Sequence, residues 1–264
     1  MCLIAFALDH HPRYSLVLAA NRDEFLDRET EPAGFWSDAP QLLAGRDRLA
    51  GGTWLGVTLG GKVAAVTNYR DPRIQVTDPP SRGILVANYL RDETMTPADL
   101  HAHLLSRGDT YDGFNLIYGT ISELRYFTNR GGSSGPITPG IHALSNHLLD
   151  TRWPKLVEAK NRLEAILQQD EPGVDELFKA MADPKPFADE LLPDTGIGPE
   201  FERFLSPIFI RGERYATRST TVLLVSRNGE VTFCEQSHDT PGLVPVCFNF
   251  SVKAVAVSLN QYPP

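Results

Sequence analysis

The residues of this chain best equipped for chemistry begin at its second position. Cys2 follows Met1, and loss of that methionine would leave a thiol and a free α-amine on adjacent carbons. An α-amine has a reference pKa of roughly 7.7–8.0, so near neutral pH part of it is unprotonated and can act as a base. A thiol beside such a base is an activated nucleophile, an arrangement also used by N-terminal threonine. The polar run Asn21-Arg22-Asp23-Glu24 closes an apolar stretch. An arginine near Cys2 favours the thiolate, and an acid orients the arginine or the ammonium. Asn68 and Asn146 end or follow strand-like segments and can donate hydrogen bonds to an oxyanion. Each candidate also has a plainer reading. Cys2 fits a small buried hydrophobe, the 21–24 run a solvated strand end, the two asparagines turn residues, and Arg218 a rim ion pair.

Hairpins are the elements that would gather these residues. Leu3–Leu8 and Ser15–Ala20 are apolar runs around a turn-like segment, and Trp54–Leu59 and Lys62–Asn68 flank Gly60-Gly61. Phe114–Gly119 and Glu123–Asn129 form a third pair, and Thr220–Ser226 and Glu230–Gln236 flank Asn228-Gly229. A turn centred between His11 and Pro12 puts Cys2 near Asn21, beside the Asn21-Arg22-Asp23-Glu24 run, and registers of this kind can slip by one or two residues. The same arithmetic, with two-residue turns, sets Asn68 opposite Thr53 and Arg218 opposite Asp239. Helices are expected over Arg82–Arg91 with Ser81 as N-cap, Pro97–Ser106 after Thr96, Trp153–Gln168 and Val174–Met181. Residues 183–207 read as an irregular excursion. Strand pairs on both sides of a helical middle predict antiparallel β layers covered by helices; the close hairpins count against a parallel α/β sheet.

Composition narrows the partners. The 264 residues carry 25 basic and 33 acidic side chains, a formal charge of −8, with 42% hydrophobic residues. Disorder and coiled coil are excluded for the whole chain, and the acidic balance without basic runs argues against nucleic acid. No apolar stretch is long enough for a membrane span. Three cysteines, an odd number without C-x-x-C spacing, do not make a disulfide scaffold and fit a reducing, cytoplasmic compartment. The near P-loop from Gly56 to Lys62 has Val63 where magnesium binding needs Ser or Thr, and Lys62 opens a strand rather than a helix. The seven histidines lack zinc spacing. No metal or cofactor is expected.

Five blocks together resemble a known family. They are Met1-Cys2-Leu3-Ile4, Asn21-Arg22-Asp23-Glu24, Gly51-Gly52-Thr53-Trp54-Leu55-Gly56, Thr67-Asn68-Tyr69-Arg70 and Tyr215-Ala216-Thr217-Arg218-Ser219-Thr220. In this order they resemble the NRDE family, that of transport and Golgi organisation protein 2 and its bacterial relatives. The family is similar to N-terminal-nucleophile hydrolases of the choloylglycine hydrolase and penicillin V acylase type. The resemblance implies a single α+β domain over residues 1–264, a four-layer αββα sandwich of two antiparallel sheets. It implies Cys2 as nucleophile, Arg22 beside it, and an oxyanion hole from a backbone N–H of the Asn68-Tyr69 segment and the Asn146 side chain. Arg218 would be the second active-site arginine. In the acylases an acid follows the arginine after two intervening residues, but position 25 here is Phe. Either Asp23 or Glu24 takes that role from a shifted backbone, or the role is absent. The implied activity is hydrolysis of an N-acyl amide. The alternative is a non-catalytic carrier for haem or lipid, since eukaryotic members are associated with haem trafficking and lipid homeostasis.

Overall fold

The run Cys2–Leu8 forms strand β1, and every one of its residues is buried. Side chains alternate across a strand, so β1 feeds two cores at once. Ile4, Phe6 and Leu8 join one apolar cluster, while Leu3, Ala5 and Ala7 join another. A strand covered on both faces reads as a continuous apolar run, which is why the alternation is invisible in the sequence.

The computed structural model describes residues 2–74, 76–239 and 242–252. After β1 come β2 (Tyr14–Phe25), β3 (Thr30–Trp36), β4 (Ala39–Asp47), β5 (Leu55–Thr58) and β6 (Lys62–Asn68). Helices α1 (Arg82–Arg91) and α2 (Pro97–Arg107) follow, then β7 (Phe114–Thr120), β8 (Glu123–Thr128), β9 (Gly135–Pro136) and β10 (Gly140–Leu144). The rest comprises α3 (Pro154–Ile166), α4 (Val174–Ala180), α5 (Pro199–Phe204), β11 (Tyr215–Ser226), β12 (Glu230–Ser237) and β13 (Val246–Ser251). One sheet has the order β10-β1-β2-β11-β12-β13, the other β3-β4-β5-β6-β7-β8-β9, and all the strand pairs are antiparallel.

Three apolar clusters stack the layers. The first, with Phe6, Leu18, Val57, Ile117 and Phe233, lies between the sheets. The second packs Leu156 and Leu163 of α3 and Leu177 of α4 on the outer face of the first sheet. The third packs Leu85, Tyr89 and Leu104 of α1 and α2 on the outer face of the second. The fold is therefore the expected αββα sandwich.

The observed registers each lie one step from the centred arithmetic, within the slip it allows. Cys2 pairs with Arg22 rather than Asn21. Leu55 pairs with Ala65, which carries Thr53 towards Thr67 rather than Asn68, and Ser219 pairs with Ser237, which carries Arg218 towards His238. In the Gly60-Gly61 and Asn228-Gly229 hairpins the cause is a loop of three residues rather than two. Gly61 (φ 83°) and Gly229 (φ 87°) take left-handed backbone at the third loop position. Their N–H groups donate to Thr58 O and Ser226 O at 2.9 and 3.0 Å. This is a turn closed by a left-handed glycine, and it moves the partner sum by one.

Ser81 is the N-cap residue of α1, although its side chain makes no capping hydrogen bond, and Thr96 and Asp99 form a reciprocal capping box at α2. Other expectations are corrected. The irregular 183–207 stretch contains α5. Strands β3, β4, β9 and β13 are additions to the expected set. Cys234 and Cys247 are joined in a disulfide, because β12 and β13 place them directly opposite each other. Lys62 does open β6, where its Nζ donates to the carbonyls of Asp92 and Met95 at 2.5 and 2.6 Å and closes the end of α1. No helix among the described residues is long and apolar enough to cross a membrane.

Candidate active site

The off-by-one register decides which side chains meet. Cys2, Arg22, Ser219 and Ser237 form one transverse row across β1, β2, β11 and β12. The next row inward is Ile4, Ala20, Thr221 and Glu235. Since Ile4 and Ala20 belong to the inter-sheet core, both rows face the space between the sheets. There a cleft of about 400 Å³ opens, lined by Cys2, Arg22, Glu24, Asn68, Arg218 and Glu235 among others. Thr53, Trp54 and Val66 form part of its wall from the second sheet, with Ser81, Arg82 and Gly83 at the start of α1.

The Asn21–Glu24 run is split by strand alternation. Arg22 and Glu24 take the cleft side. Arg22 donates to Thr30 Oγ1 at 3.0 Å and lies 3.9 Å from the Glu24 carboxylate. Asn21 points to the helical layer, where its Nδ2 donates to Met181 O and Ile208 O at 2.9 and 2.8 Å. Its Oδ1 accepts from Thr220 at 2.7 Å. Asp23 accepts from Thr217 Oγ1 at 2.6 Å and is buried, which pushes its carboxyl above the usual range. Asp23 and Arg22 thus act on opposite sides of the same sheet, although Asp23 also reaches the cleft wall.

Arg218 owes its place to a β-bulge. The β2–β11 ladder pairs Thr217 with Asp23 and Ser219 with Arg22, leaving Arg218 as the extra residue. Its Nε donates to Asp239 Oδ1 at 2.9 Å, and its Nη2 pairs with the other carboxylate oxygen. Its Nη1 donates to the carbonyls of Phe25 and Arg28. The Arg218–Asp239 neighbourhood read from the hairpin is therefore an ion pair at the cleft rim.

The oxyanion donors implied by the resemblance are otherwise engaged. The Tyr69 N–H donates to Gly113 O at 2.8 Å. The Asn146 Nδ2 donates to Asn68 O at 3.1 Å, while its Oδ1 accepts from Ser145 at 3.1 Å and Arg70 at 3.2 Å. Neither Tyr69 nor Asn146 lines the cleft. Asn68 does, and its carboxamide makes no hydrogen bond to another described residue. Sequence reasoning missed Ser145, whose Oγ holds the Cys2 carbonyl at 2.9 Å. It also missed Glu235, 6% exposed, which accepts from Ala33 N of the facing sheet at 2.7 Å. Glu235 could have been found only through the register, since no motif surrounds it.

Burial dominates the thiol. Cys2 is 7% exposed, and desolvation pushes its pKa from 9.0 up to about 11 against the pull of Arg22. Near neutral pH it is thiolate about a hundredfold less often than an ordinary cysteine. With Met1 in place, Cys2 should resist iodoacetamide at pH 7, and its labelling rate should climb with pH towards about 11. Mass spectrometry of quenched samples checks this; a plateau below pH 9 would show that the thiol ionises freely. No group of His, Cys, Asp and Glu among the described residues could hold a metal ion.

Two facing antiparallel sheets between helical layers, with a cysteine leading the first strand into the inter-sheet cleft, define the N-terminal-nucleophile hydrolase class of fold. The C2A mutant of conjugated bile acid hydrolase from Clostridium perfringens shares it, with a TM-score of 0.50 at 9% identity over 94% of this chain and 92% of that one. The chain belongs to the Transport and Golgi organisation 2 family, whose model matches residues 1–240. The mouse Transport and Golgi organization 2 homolog is 37% identical over 258 residues, 90% of this chain and 93% of its own length. The human homolog is 36% identical over 259 residues, with the same coverage.

Proposed function

We propose that the chain is an N-terminal-cysteine amidohydrolase acting on an N-acyl amide once Met1 is removed, with residues 1–264 working as one domain. The observation that carries this reading is Cys2 directly opposite Arg22 at the wall of the inter-sheet cleft. A thiol held near 11 needs a base, and the α-amine on the adjoining carbon is one. The thiol passes its proton to that amine and the sulfur attacks the carbonyl carbon. The C–N bond breaks as the leaving amine takes the proton back, and water then cleaves the acyl thioester. Asn68, with its uncommitted carboxamide, is the donor proposed for the oxyanion. Tyr69 and Asn146 act indirectly, by fixing the Asn68 backbone and the segment beside Cys2. Asp23 holds the end of β2, and Arg218 anchors the rim.

The test pairs intact mass with amine release from a panel of N-acyl amides. Loss of Met1 together with Cys2-dependent release is the expected result, and a retained Met1 in active protein would sink the mechanism. A second reading is a carrier of lipid or haem in the same cleft; the word transport in the relatives' name supports a carrier in general, and Trp54 and Val66 give the cleft an apolar wall. A carrier has no need of Cys2. A cytoplasmic location belongs to both readings, and there thiols are kept reduced. Cells lysed into denaturant with iodoacetamide should then yield three tagged cysteines; a single tag would place the chain in an oxidising compartment with Cys234–Cys247 closed.

A further inference from the structure

Behind Cys2, on the face of the first sheet turned away from the cleft, four charges are buried together. Asp23 is 2% exposed and Lys155, from the first turn of α3, 3%. Arg70, just past β6, pairs with Glu202 of α5 at 2.8 Å. Lys155 Nζ donates to Leu205 O at 3.1 Å. Glu202 also accepts from Thr195 N and Oγ1 at 2.8 and 2.6 Å, and Tyr215 donates to Asp23 O at 2.9 Å. Lys155 is close enough to Asp23, Arg70, Glu202 and Cys2 to act on all four electrostatically. Asp23 lies one residue past Arg22, the partner of Cys2. The group therefore sits at the end of β1 from which the Cys2 nitrogen emerges.

The count of charges matters here. With all four ionised, two cations face two anions and the group is balanced. Removing Met1 places an amine beside it, and a protonated amine would be a fifth, uncompensated charge in desolvating surroundings. We propose that Lys155 is a positioning residue that keeps the Cys2 α-amine in its free-base form, ready to take the thiol proton. This rests on the reading of Cys2 as an N-terminal nucleophile. Amines are activated in the same way where a neighbouring cation disfavours their protonation. Burial lowers Lys155 to about 8, so at neutral pH it still carries its own charge. The other titratable or charged groups around the amine are the Cys2 thiol, Arg22, Glu24 and Arg82 towards the cleft, and Asp23 and Tyr215 from β2 and β11.

The test measures the amine itself. Protein freed of Met1 by methionine aminopeptidase, verified by intact mass, is labelled with 15N-cysteine, and the α-amine resonance is followed against pH. The wild-type amine should ionise about one pH unit or more below the roughly 7.7–8.0 of an ordinary chain terminus. Lys155→Met leaves the group one cation short, so the midpoint should rise by about a unit, and Lys155→Arg should restore it. Glu202→Gln should move it the other way. A wild-type amine with an ordinary midpoint overturns the proposal even if Lys155→Met does not fold. A folded Lys155→Met with an unmoved midpoint overturns it as well. Neither readout depends on hydrolysis, so a low midpoint in a protein that cleaves no amide defeats the proposed function and leaves the role of Lys155 standing.

Discussion

Cys2→Ala is expected to lower amide hydrolysis by about 10³-fold or more, since removing a covalent nucleophile leaves only binding and oxyanion stabilisation. The substitution is a gentle one for the fold. Cys2 starts a strand, its carbonyl stays on Ser145, and its thiol belongs to no disulfide. The variant should unfold at the same denaturant concentration as wild type to within about 0.5–1 kcal/mol of stability, so lost activity reports on chemistry. Cys2→Ser separates the roles further. It keeps shape and polarity, but a hydroxyl is harder for an α-amine to deprotonate than a thiol, so activity should fall between the two. Measured amine release with unchanged turnover in Cys2→Ala would rule out the nucleophile and favour a carrier.

The second large effect is on stability, at the first residue of the same polar run. Asn21 is fully buried and makes three side-chain hydrogen bonds, to Met181 O, Ile208 O and Thr220. Asn21→Ala removes all three and leaves two carbonyls without a donor. Unsatisfied buried groups cost about 1–3 kcal/mol each, so a loss of about 3–5 kcal/mol is expected. That is a large share of the roughly 5–15 kcal/mol that holds a typical domain folded. Urea denaturation should show a lower midpoint with an unchanged slope. A loss below about 1 kcal/mol would mean that Asn21 does not tie β2 to the helical layer. Thr220 keeps a partner in His238 at 2.8 Å, so the two carbonyls carry most of the effect.

The contrast between these neighbours shows what the sequence can and cannot disclose. Hairpins around Gly60-Gly61 and Asn228-Gly229 are legible because glycine is needed where the backbone turns left-handed. The face on which a residue lies is not legible, because it depends on whether the loop has two residues or three, and one step reverses it. In the first hairpin, whose connection is longer, the arithmetic reaches only the neighbourhood of Asn21, and Arg22 stands opposite Cys2. Strands β3 and β4 escaped notice because charged residues such as Glu31 and Arg46 interrupt them. Glu235 and Lys155 were illegible for a different reason. Their partners lie far away in the chain, and only packing brings them to Cys2. The family resemblance named the cysteine and both arginines, but the Tyr69 and Asn146 donors it implied are held by carbonyls here.

The bulge at Arg218 has a consequence for comparing relatives. Thr217 pairs with Asp23 and Ser219 with Arg22, so cutting out position 218 would let both pairs follow one another in an unbroken ladder. The sheet is built for a chain one residue shorter. What the extra residue supplies is the strap from β11 to Asp239 and to the Phe25 and Arg28 carbonyls. In an alignment, its loss would show as a one-column gap with every neighbouring letter intact. Such a relative would fold like this chain while its cleft stood open at one corner, and substitution scoring alone would never mark it as different.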